Sequence, residues 1–394
     1  MAQKAVVAGV GMIAFSKPGR SEPYDIMGAK AAAAALEDAG IAFSEVQQAY
    51  VGYVYADSSA GQAALYHVGL SGIPIVNVNN NCATGSTALF LARQSVESGS
   101  VDVAIALGFE QMTPGALGFA YPDRTQPLQR FTDQALKLQG ADPSPIAAQL
   151  FGGAGAEYQR KYGAQTATFA KVAEKARRHA ANNPFAIFRD PLTLHDVLQS
   201  PHLYGPLTRY QACPPTCGAA AAIVVSPAYA RKHGLTGCVE IAAQAMTTDG
   251  PSSFGEDSMI KLVGYDMAKA AAGKVYEQAG VGPEDIQVIE LHDCFSANEL
   301  LSYEALGLAA EGTAERFIED GDNTYGGRYV VNPSGGLLSK GHPLGATGLA
   351  QCYELVKQVR GDADARQVDD VRYALQHNLG LGGACVVTLY RAAT

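Results

Sequence analysis

The sequence predicts a mixed α/β fold built from two related core units with an inserted segment between them. Three observations carry that expectation. Short runs of β-branched residues alternate with alanine-rich runs of helical length, the pattern of a sheet covered by helices. At 394 residues the chain is longer than one hydrophobic core usually fills. Finally, Cys82-Ala83-Thr84-Gly85 and Gly345-Ala346-Thr347-Gly348 each open a predicted helix that is followed by a strand, a faint internal repeat.

The elements follow in order. An apolar strand over 5–8 runs into a Gly9-Val10-Gly11 turn, and a helix over 24–39 stops at Gly40, a residue suited to a helix C-terminus. A strand over 48–55, a helix over 61–68, a strand over 73–78, a helix from Cys82 to about Glu97 and a strand over 101–107 complete the first unit. Residues from about 113 to 205 change character, with Gly, Pro, Gln and aromatics and helices over 147–162 and 167–182, and read as an insertion. Regular alternation then returns: strands over 218–225 and 238–246, a helix over 257–279, a strand over 286–290 and a helix over 297–306. The chain closes with a helix over 345–359 and strands over 371–376 and 384–390.

Composition narrows the function. Hydrophobic residues make up 47% and charged residues 17%, so a sizeable interior forms without disulfides or metals. Twenty-nine basic against 38 acidic residues give a net charge of −9, which argues against nucleic acid and anionic membranes as partners. Seven cysteines, an odd number, read as free thiols in a reducing compartment, and the cytoplasm is the expected location. Lys4 and the apolar run behind it imitate a leader, but no small-residue cleavage pattern follows. No uncharged stretch is long enough to span a membrane.

Four segments carry chemistry. Asn79-Asn80-Asn81-Cys82-Ala83-Thr84-Gly85 sits where a strand stops and a helix starts, and a thiol there meets a helix dipole and free backbone N–H groups that favour the thiolate. Leu291-His292-Asp293-Cys294-Phe295 follows a strand, placing an imidazole and a second thiol at a sheet edge, where ligand sites of α/β folds lie. Ser339-Lys340-Gly341-His342-Pro343-Leu344-Gly345 puts another imidazole at a helix start, where the dipole favours its neutral, basic form. His377-Asn378-Leu379-Gly380-Leu381-Gly382-Gly383 offers glycine amides able to approach a ligand. Taken singly, each histidine or cysteine reads more readily as a core residue. Together they suggest acyl transfer through a thioester, with a thiolate attacking, a histidine handling its proton, a second thiol handling a carbon acid and amides holding the oxyanion.

At these residues the chain resembles the thiolase family, specifically its sterol-carrier-protein-2 type. The resemblance runs over nearly the whole chain, with NNNCATGSTALF from Asn79, HDCF from His292, SKGHPLGATG from Ser339 and QHNLGLGGA from Gln376 as its strongest pieces. It implies a five-layer αβαβα fold with two pseudo-symmetric core domains and a loop domain: 1–112 plus about 206–250, then 113–205, then 251–394. It implies cleavage of a 3-ketoacyl-CoA of fatty, branched or sterol side-chain type, in which Cys82 takes the acyl group, acetyl-CoA leaves and a second CoA releases the shortened acyl-CoA. Coenzyme A is then a substrate, with no covalently bound cofactor, no metal and a homodimer as the expected assembly.

Residue by residue, the resemblance makes His342 the activator of Cys82 and pairs His292 with His342 at the enolate oxygen. The amides of Cys82 and Gly380 form the other oxyanion hole. The Cys-x-Gly motif of ordinary thiolases reads Asn378-Leu379-Gly380 here, so the acid/base role passes to Cys294. The animal fusion protein's carrier domain has no counterpart in this chain, so lipid transfer is not expected of it. Two rivals stand beside this reading: a steroid side-chain retro-aldolase that needs a partner protein, and a non-catalytic scaffold that channels acyl groups. A related decarboxylating ketosynthase is set aside because it lacks a thiol equivalent to Cys294.

Other signals are set aside. Gly9-Val10-Gly11 resembles a dinucleotide fingerprint, but Pro18-Gly19 follows where a helix is required. Cys213-Pro214-Pro215-Thr216-Cys217 has no second ligand pair for zinc and reads as the proline-stiffened start of a buried strand. Cys238, Cys352 and Cys385 read as packing residues, and His67, His179, His195, His202 and His233 as surface or capping residues. The basic residues from Arg160 to Arg178 divide between a CoA-phosphate contact and a solvated helix face.

Overall fold

A computed structural model describes residues 4–115, 117–118 and 121–393. The chain begins with β1 (Val6–Met12), α1 (Tyr24–Ala39), β2 (Gln48–Gly52), α2 (Ala60–Tyr66), β3 (Ile75–Val78), α3 (Thr84–Glu97) and β4 (Val103–Glu110). Helices α4 (Gln129–Gln139), α5 (Ile146–Tyr162), α6 (Thr166–Ala180) and α7 (Leu194–Gln199) and the hairpin β5 (His202–Tyr204) and β6 (Leu207–Thr208) follow. Then come β7 (Gly218–Val225), α8 (Pro227–His233), β8 (Val239–Thr247), α9 (Ser252–Gly255), α10 (Met259–Leu262), α11 (Tyr265–Ala279), β9 (Val288–Glu290) and α12 (Ser296–Ala305). The last elements are α13 (Ala314–Glu319), β10 (Val330–Val331), α14 (Gly336–Ser339), α15 (Leu344–Arg360), β11 (Tyr373–Gly380) and β12 (Ala384–Ala392).

The strands make the duplication explicit. Their order is β10-β9-β11-β12-β8-β1-β7-β4-β2-β3, two five-stranded sets joined where β1 touches β8 at Val6–Glu240 and Val7–Val239. Counting strands within each set, both run third, second, fourth, fifth, first. Directions match as well: β2 is parallel to β3 and β4 as β9 is to β10 and β11, while β7 and β12 are antiparallel to their neighbours. This order puts β8 in the second set, across the division expected near residue 250, because β8 pairs along its length with β12 and only at two positions with β1.

Period-two alternation explains the layers. In β7, Ala219, Ala221, Ile223 and Val225 pack against α1 and α2, while Ala220, Ala222 and Val224 face α3 and α15. A strand buried on both faces reads as a continuous apolar run, as this one does. The central layer holds Ala88, Leu89 and Ala92 of α3 and Ala346, Leu349 and Leu355 of α15, touching strands of both sets. On the far face, Ala271 and Val275 of α11 and Leu300 and Leu301 of α12 cover β8, β9, β11 and β12, and Phe151 and Phe169 of α5 and α6 join the same cluster. The result is helix, sheet, helix, sheet, helix.

Two local expectations change. Gly9-Val10-Gly11 is strand, not turn, pairing with Ile223, Ala222 and Ala221. Its glycines exist because α1 lies directly on it: a Cβ at Gly9 would sit 2.3 Å from the Ala35 carbonyl oxygen, and one at Gly11 2.4 Å from the Ala35 nitrogen. The helix expected over 257–279 is broken into α10 and α11 at Gly264, whose φ of +94° belongs to the left-handed region.

Candidate active site

Cys82 lies in the turn between β3 and α3, and its three preceding asparagines build that turn. Asn81 adopts φ +51°, a conformation asparagine tolerates better than most residues. Its side chain donates to the Leu381 carbonyl at 3.0 Å, tying the turn to the β11–β12 hairpin. The Asn79 side chain accepts from the Asn81 amide at 3.0 Å, and the Thr84 hydroxyl accepts from the Asn80 amide at 2.8 Å. Gly380 of β11 packs on the same turn, where a Cβ would meet the Asn80 carbonyl oxygen at 2.3 Å. The thiol is thus held rigidly against the second set of strands.

The two halves of the sequence repeat meet here. A Cβ on Gly85 would lie 2.8 Å from the Gly345 oxygen, and one on Gly348 2.3 Å from the Ser86 nitrogen, so glycine is what lets the first turns of α3 and α15 touch. That contact brings His342, just ahead of α15, to Cys82. His342 receives its own backbone bond from Thr216, whose hydroxyl accepts the His342 amide at 3.0 Å, and its Nδ1 bonds the Thr347 hydroxyl at 2.7 Å. Its Nε2 is buried without a partner. His292 follows β9, its ring 5.1 Å from that of His342 at 83°. The ligating atoms of Cys82, His292 and His342 all lie within 4.8 Å of one another.

Cys294 is buried beside this trio but is not one of the atoms within 4.8 Å. Its carbonyl accepts from the Cys213 amide at 2.8 Å, and Ala212 bridges Phe295, so the Cys213 segment forms a wall of the same site. Asp293, between the two chemical residues, turns away and accepts from the amides of Leu337 at 2.7 Å and Leu338 at 3.3 Å, pinning the segment to α14. Of the residues expected at the site, Cys82, His292 and His342 converge, Gly380 supports their turn, and Cys294 lies alongside.

Burial dominates the electrostatics. The Cys82 thiol is pushed up to about 12 by desolvation and then by the carboxylate of Glu110, opposite to the helix-dipole expectation. His342 is drawn down to about 3 by burial alone, and His292 well below its usual value by burial and the neighbouring imidazoles. Cys294 is raised, first by burial and then by Cys213 and Cys82. The resting site is therefore a neutral thiol beside neutral imidazoles, and attack by sulfur requires its proton to leave as the bond forms. An unpartnered, neutral His342 Nε2 is suited to receive it.

Three participants were missed in the sequence. Glu110, at the end of β4, is buried and accepts from the amides of Tyr55 at 2.9 Å, Val54 at 3.1 Å and Gly345 at 3.0 Å. Burial raises it to about 7. A lone acidic residue closing an apolar strand was the available signal. Cys213 reads in the sequence as part of a proline-stiffened strand start, and Asn378 only as a missing thiol, although Asn378 bonds both the Cys82 carbonyl and His292. Other expectations shift too. His179 is a core residue, bonded through Nδ1 to the Asn332 carbonyl and through Nε2 to Thr324. Among the basic residues from Arg160 to Arg178, Lys161 and Lys171 pair with Glu311 and Glu319, and Lys175 is buried on Glu299.

A duplicated α/β core whose repeats bring a buried thiol within 4.8 Å of two imidazoles is the architecture of an acyltransferase. The chain belongs to the thiolase family: residues 5–200 match the model "Thiolase, N-terminal domain" and residues 255–389 match "Thiolase C-terminal domain-like". It is 55% identical to Sterol carrier protein 2 of Rattus norvegicus over 392 residues, covering 98% of this chain and 72% of the relative. It is 32% identical to Acetyl-CoA acetyltransferase of Methanothermobacter thermautotrophicus over 97% of this chain and 99% of the relative. Among solved structures it is similar to the "Ltp2-ChsH2(DUF35) aldolase", with a TM-score of 0.83, 27% identity and coverage of 99% of this chain and 98% of that one.

Proposed function

We propose that the enzyme is a 3-ketoacyl-CoA thiolase that cleaves fatty, branched or sterol-type acyl chains through an acyl thioester on Cys82. The observation that carries this is the convergence of Cys82, His292 and His342 within 4.8 Å. In the first half-reaction the Cys82 sulfur attacks the 3-keto carbon while its proton passes to His342 Nε2. The bond between C2 and C3 breaks and leaves the enolate of acetyl-CoA, whose oxygen is held by His292 and His342 and whose carbon takes a proton from Cys294. In the second half-reaction a new CoA thiol gives its proton to Cys294, its sulfur displaces the acyl group from Cys82, and the departing Cys82 sulfur takes back its proton from His342. The amides of Cys82 and Gly380 hold the oxyanion of both tetrahedral states.

The homodimer is part of this proposal. β3 ends the strand order, paired among the described residues only with β2, and Val76 on it is exposed, as are Tyr66 and Leu70. Seven free cysteines support a reducing, cytoplasmic setting, and among the described residues no helix is long and apolar enough to cross a membrane. The loop domain over 113–205 is proposed as the lining of the acyl pocket.

The structural likeness to an aldolase favours one second reading, retro-aldol cleavage of a steroid side chain with a partner protein. One assay separates the two: CoA-dependent loss of 3-ketoacyl-CoA absorbance across chain lengths, on wild type, Cys82→Ala and Cys294→Ala. Turnover by wild type and loss by orders of magnitude in both variants supports thiolysis. No turnover on any chain length sinks it and leaves the aldolase reading.

A further inference from the structure

Behind His292 runs a chain of buried hydrogen bonds whose direction is decided at both ends by backbone carbonyls, which only accept. The first is the carbonyl of Gly348, 2.6 Å from Gln376 Nε2. It fixes which way the Gln376 amide points, and Gln376 Oε1 accordingly accepts from the Tyr390 hydroxyl. The second Nε2 hydrogen of Gln376 goes to Ser86 Oγ at 2.8 Å, with a longer approach of 3.3 Å to Gln351. Ser86 then has its own hydrogen to give, and gives it to Asn378 Oδ1 at 2.8 Å.

The other fixed end is the Cys82 carbonyl, 3.0 Å from Asn378 Nδ2. It orients the Asn378 amide independently of Ser86, and the two agree. The remaining Nδ2 hydrogen faces His292 Nδ1 at 3.1 Å. A nitrogen that accepts carries no hydrogen, so neutral His292 holds its proton on Nε2. Ser86, Gln376, Asn378 and Tyr390 are all fully buried, which leaves no solvent to reverse the chain. His342 is set the other way: Thr347 donates to the Pro343 carbonyl at 3.0 Å and accepts the Nδ1 hydrogen of His342, which leaves the lone pair on Nε2.

We infer that Asn378, backed by Ser86 and Gln376, is a positioning residue that locks His292 as the Nε2–H tautomer, making it a fixed hydrogen-bond donor and closing the Cys82–His292–His342 trio to metal ions. The inference rests on the thiolysis reading for its purpose, since an enolate oxygen needs a donor and not a second base. The exclusion of metal follows from the same direction. A cation on Nε2 would move the proton to Nδ1, donor against donor with Asn378, and a cation on Nδ1 would have to displace the amide.

The test is ¹⁵N NMR of histidine-labelled enzyme, with the His292 signals assigned by their loss in His292→Gln, together with titration of the same samples with Co²⁺. Wild type is expected to show a bare Nδ1 and a protonated Nε2 at His292, and no sulfur-to-cobalt absorption band. In Asn378→Asp the carboxylate accepts, so Nδ1 is expected to gain a proton. In Asn378→Ala the opposing donor is gone, so a cobalt band is expected to appear. Either substitution is expected to lower kcat about 10–100-fold with little change in KM. A protonated Nδ1 in wild type overturns the inference whether or not thiolysis is observed, and needs no variant to fold. Cobalt binding by wild type, or its absence from a folded Asn378→Ala, overturns the exclusion of metal. Absence of thiolysis with a bare Nδ1 instead removes the functional reading and leaves the tautomer standing.

Discussion

The decisive competition at Cys82 is between a helix N-terminus, which favours a thiolate, and the loss of water, which opposes one. Dipole effects are worth about 0.3–1 kcal/mol at exposed sites, whereas each pKa unit is about 1.4 kcal/mol. A thiol pushed up to about 12 shows that burial, helped by Glu110, wins. The sign is then fixed: below about pH 12 the group is a thiol, and its reactivity with a small alkylating agent rises with thiolate fraction. Iodoacetamide modification of Cys82 in the substrate-free enzyme is expected to accelerate about tenfold per pH unit from 7 to 10, measured by mass spectrometry of the Cys82 peptide. A plateau below pH 8 would mean a preformed thiolate–imidazolium pair and would contradict the neutral resting site. Sequence reasoning reached Cys82, His292, Cys294 and His342 because each stands beside a strand end or helix start, in glycine- or asparagine-rich surroundings. Glu110 shows in the sequence only as a lone acid closing an apolar strand, and Cys213 only as part of a proline-stiffened segment, because what ties both to the site is contact with residues far away in the chain.

At the scale of elements, periodicity located the helices well and misjudged where chain conformation depends on a neighbour. Helix α1 matched its expected span because Gly40, at φ +67°, ends it by local geometry. Gly264, also in the left-handed region, separates α10 from α11 and stands at the start of α11, but the apolar pattern of this alanine-rich stretch runs on through it. The Gly9–Gly11 strand read as a turn because its glycines answer to α1, a tertiary demand. His179 in α6 likewise reads as a surface or capping residue, yet burial first, and then Lys175, hold it down to about 3. A histidine with a depressed folded pKa contributes stability above the unfolded value near 6.5, and that contribution is lost as pH falls, since the unfolded chain takes up the proton first. The stability difference between wild type and His179→Gln, from urea unfolding, is therefore expected to shrink by about 2 kcal/mol between pH 7.5 and pH 5. A difference that stays constant or grows would show that His179 is protonated in the fold.

For the whole molecule, duplication is the organising fact, and the four-residue repeat visible in the sequence is the place where the two copies touch. The strand order shared by the two sets could not be read from sequence, because it depends on pairings between strands far apart in the chain. The open edge at β3 is where a second copy would dock. Val76→Lys is expected to convert a dimer into monomers in sedimentation equilibrium, and a monomeric wild type would remove the dimer from the proposal. The contact between copies makes a sharper demand. Gly348 is packed so closely that a Cβ there would lie 2.2 Å from Ser86 Oγ and 2.6 Å from Asn378 Oδ1, both belonging to the chain that orients His292. Gly273, exposed in α11, has nothing within 4 Å of such a Cβ. Gly348→Ala is thus expected to cost about 1–3 kcal/mol by overpacking and to reduce thiolysis with it, while Gly273→Ala gains up to about 1 kcal/mol of helix propensity and leaves turnover unchanged. Denaturant unfolding and the thiolysis assay on both variants read the two quantities separately. If Gly348→Ala lost stability but kept full turnover, the contact between repeats would be architecture alone, and the placing of the imidazoles would have to come from elsewhere in the fold.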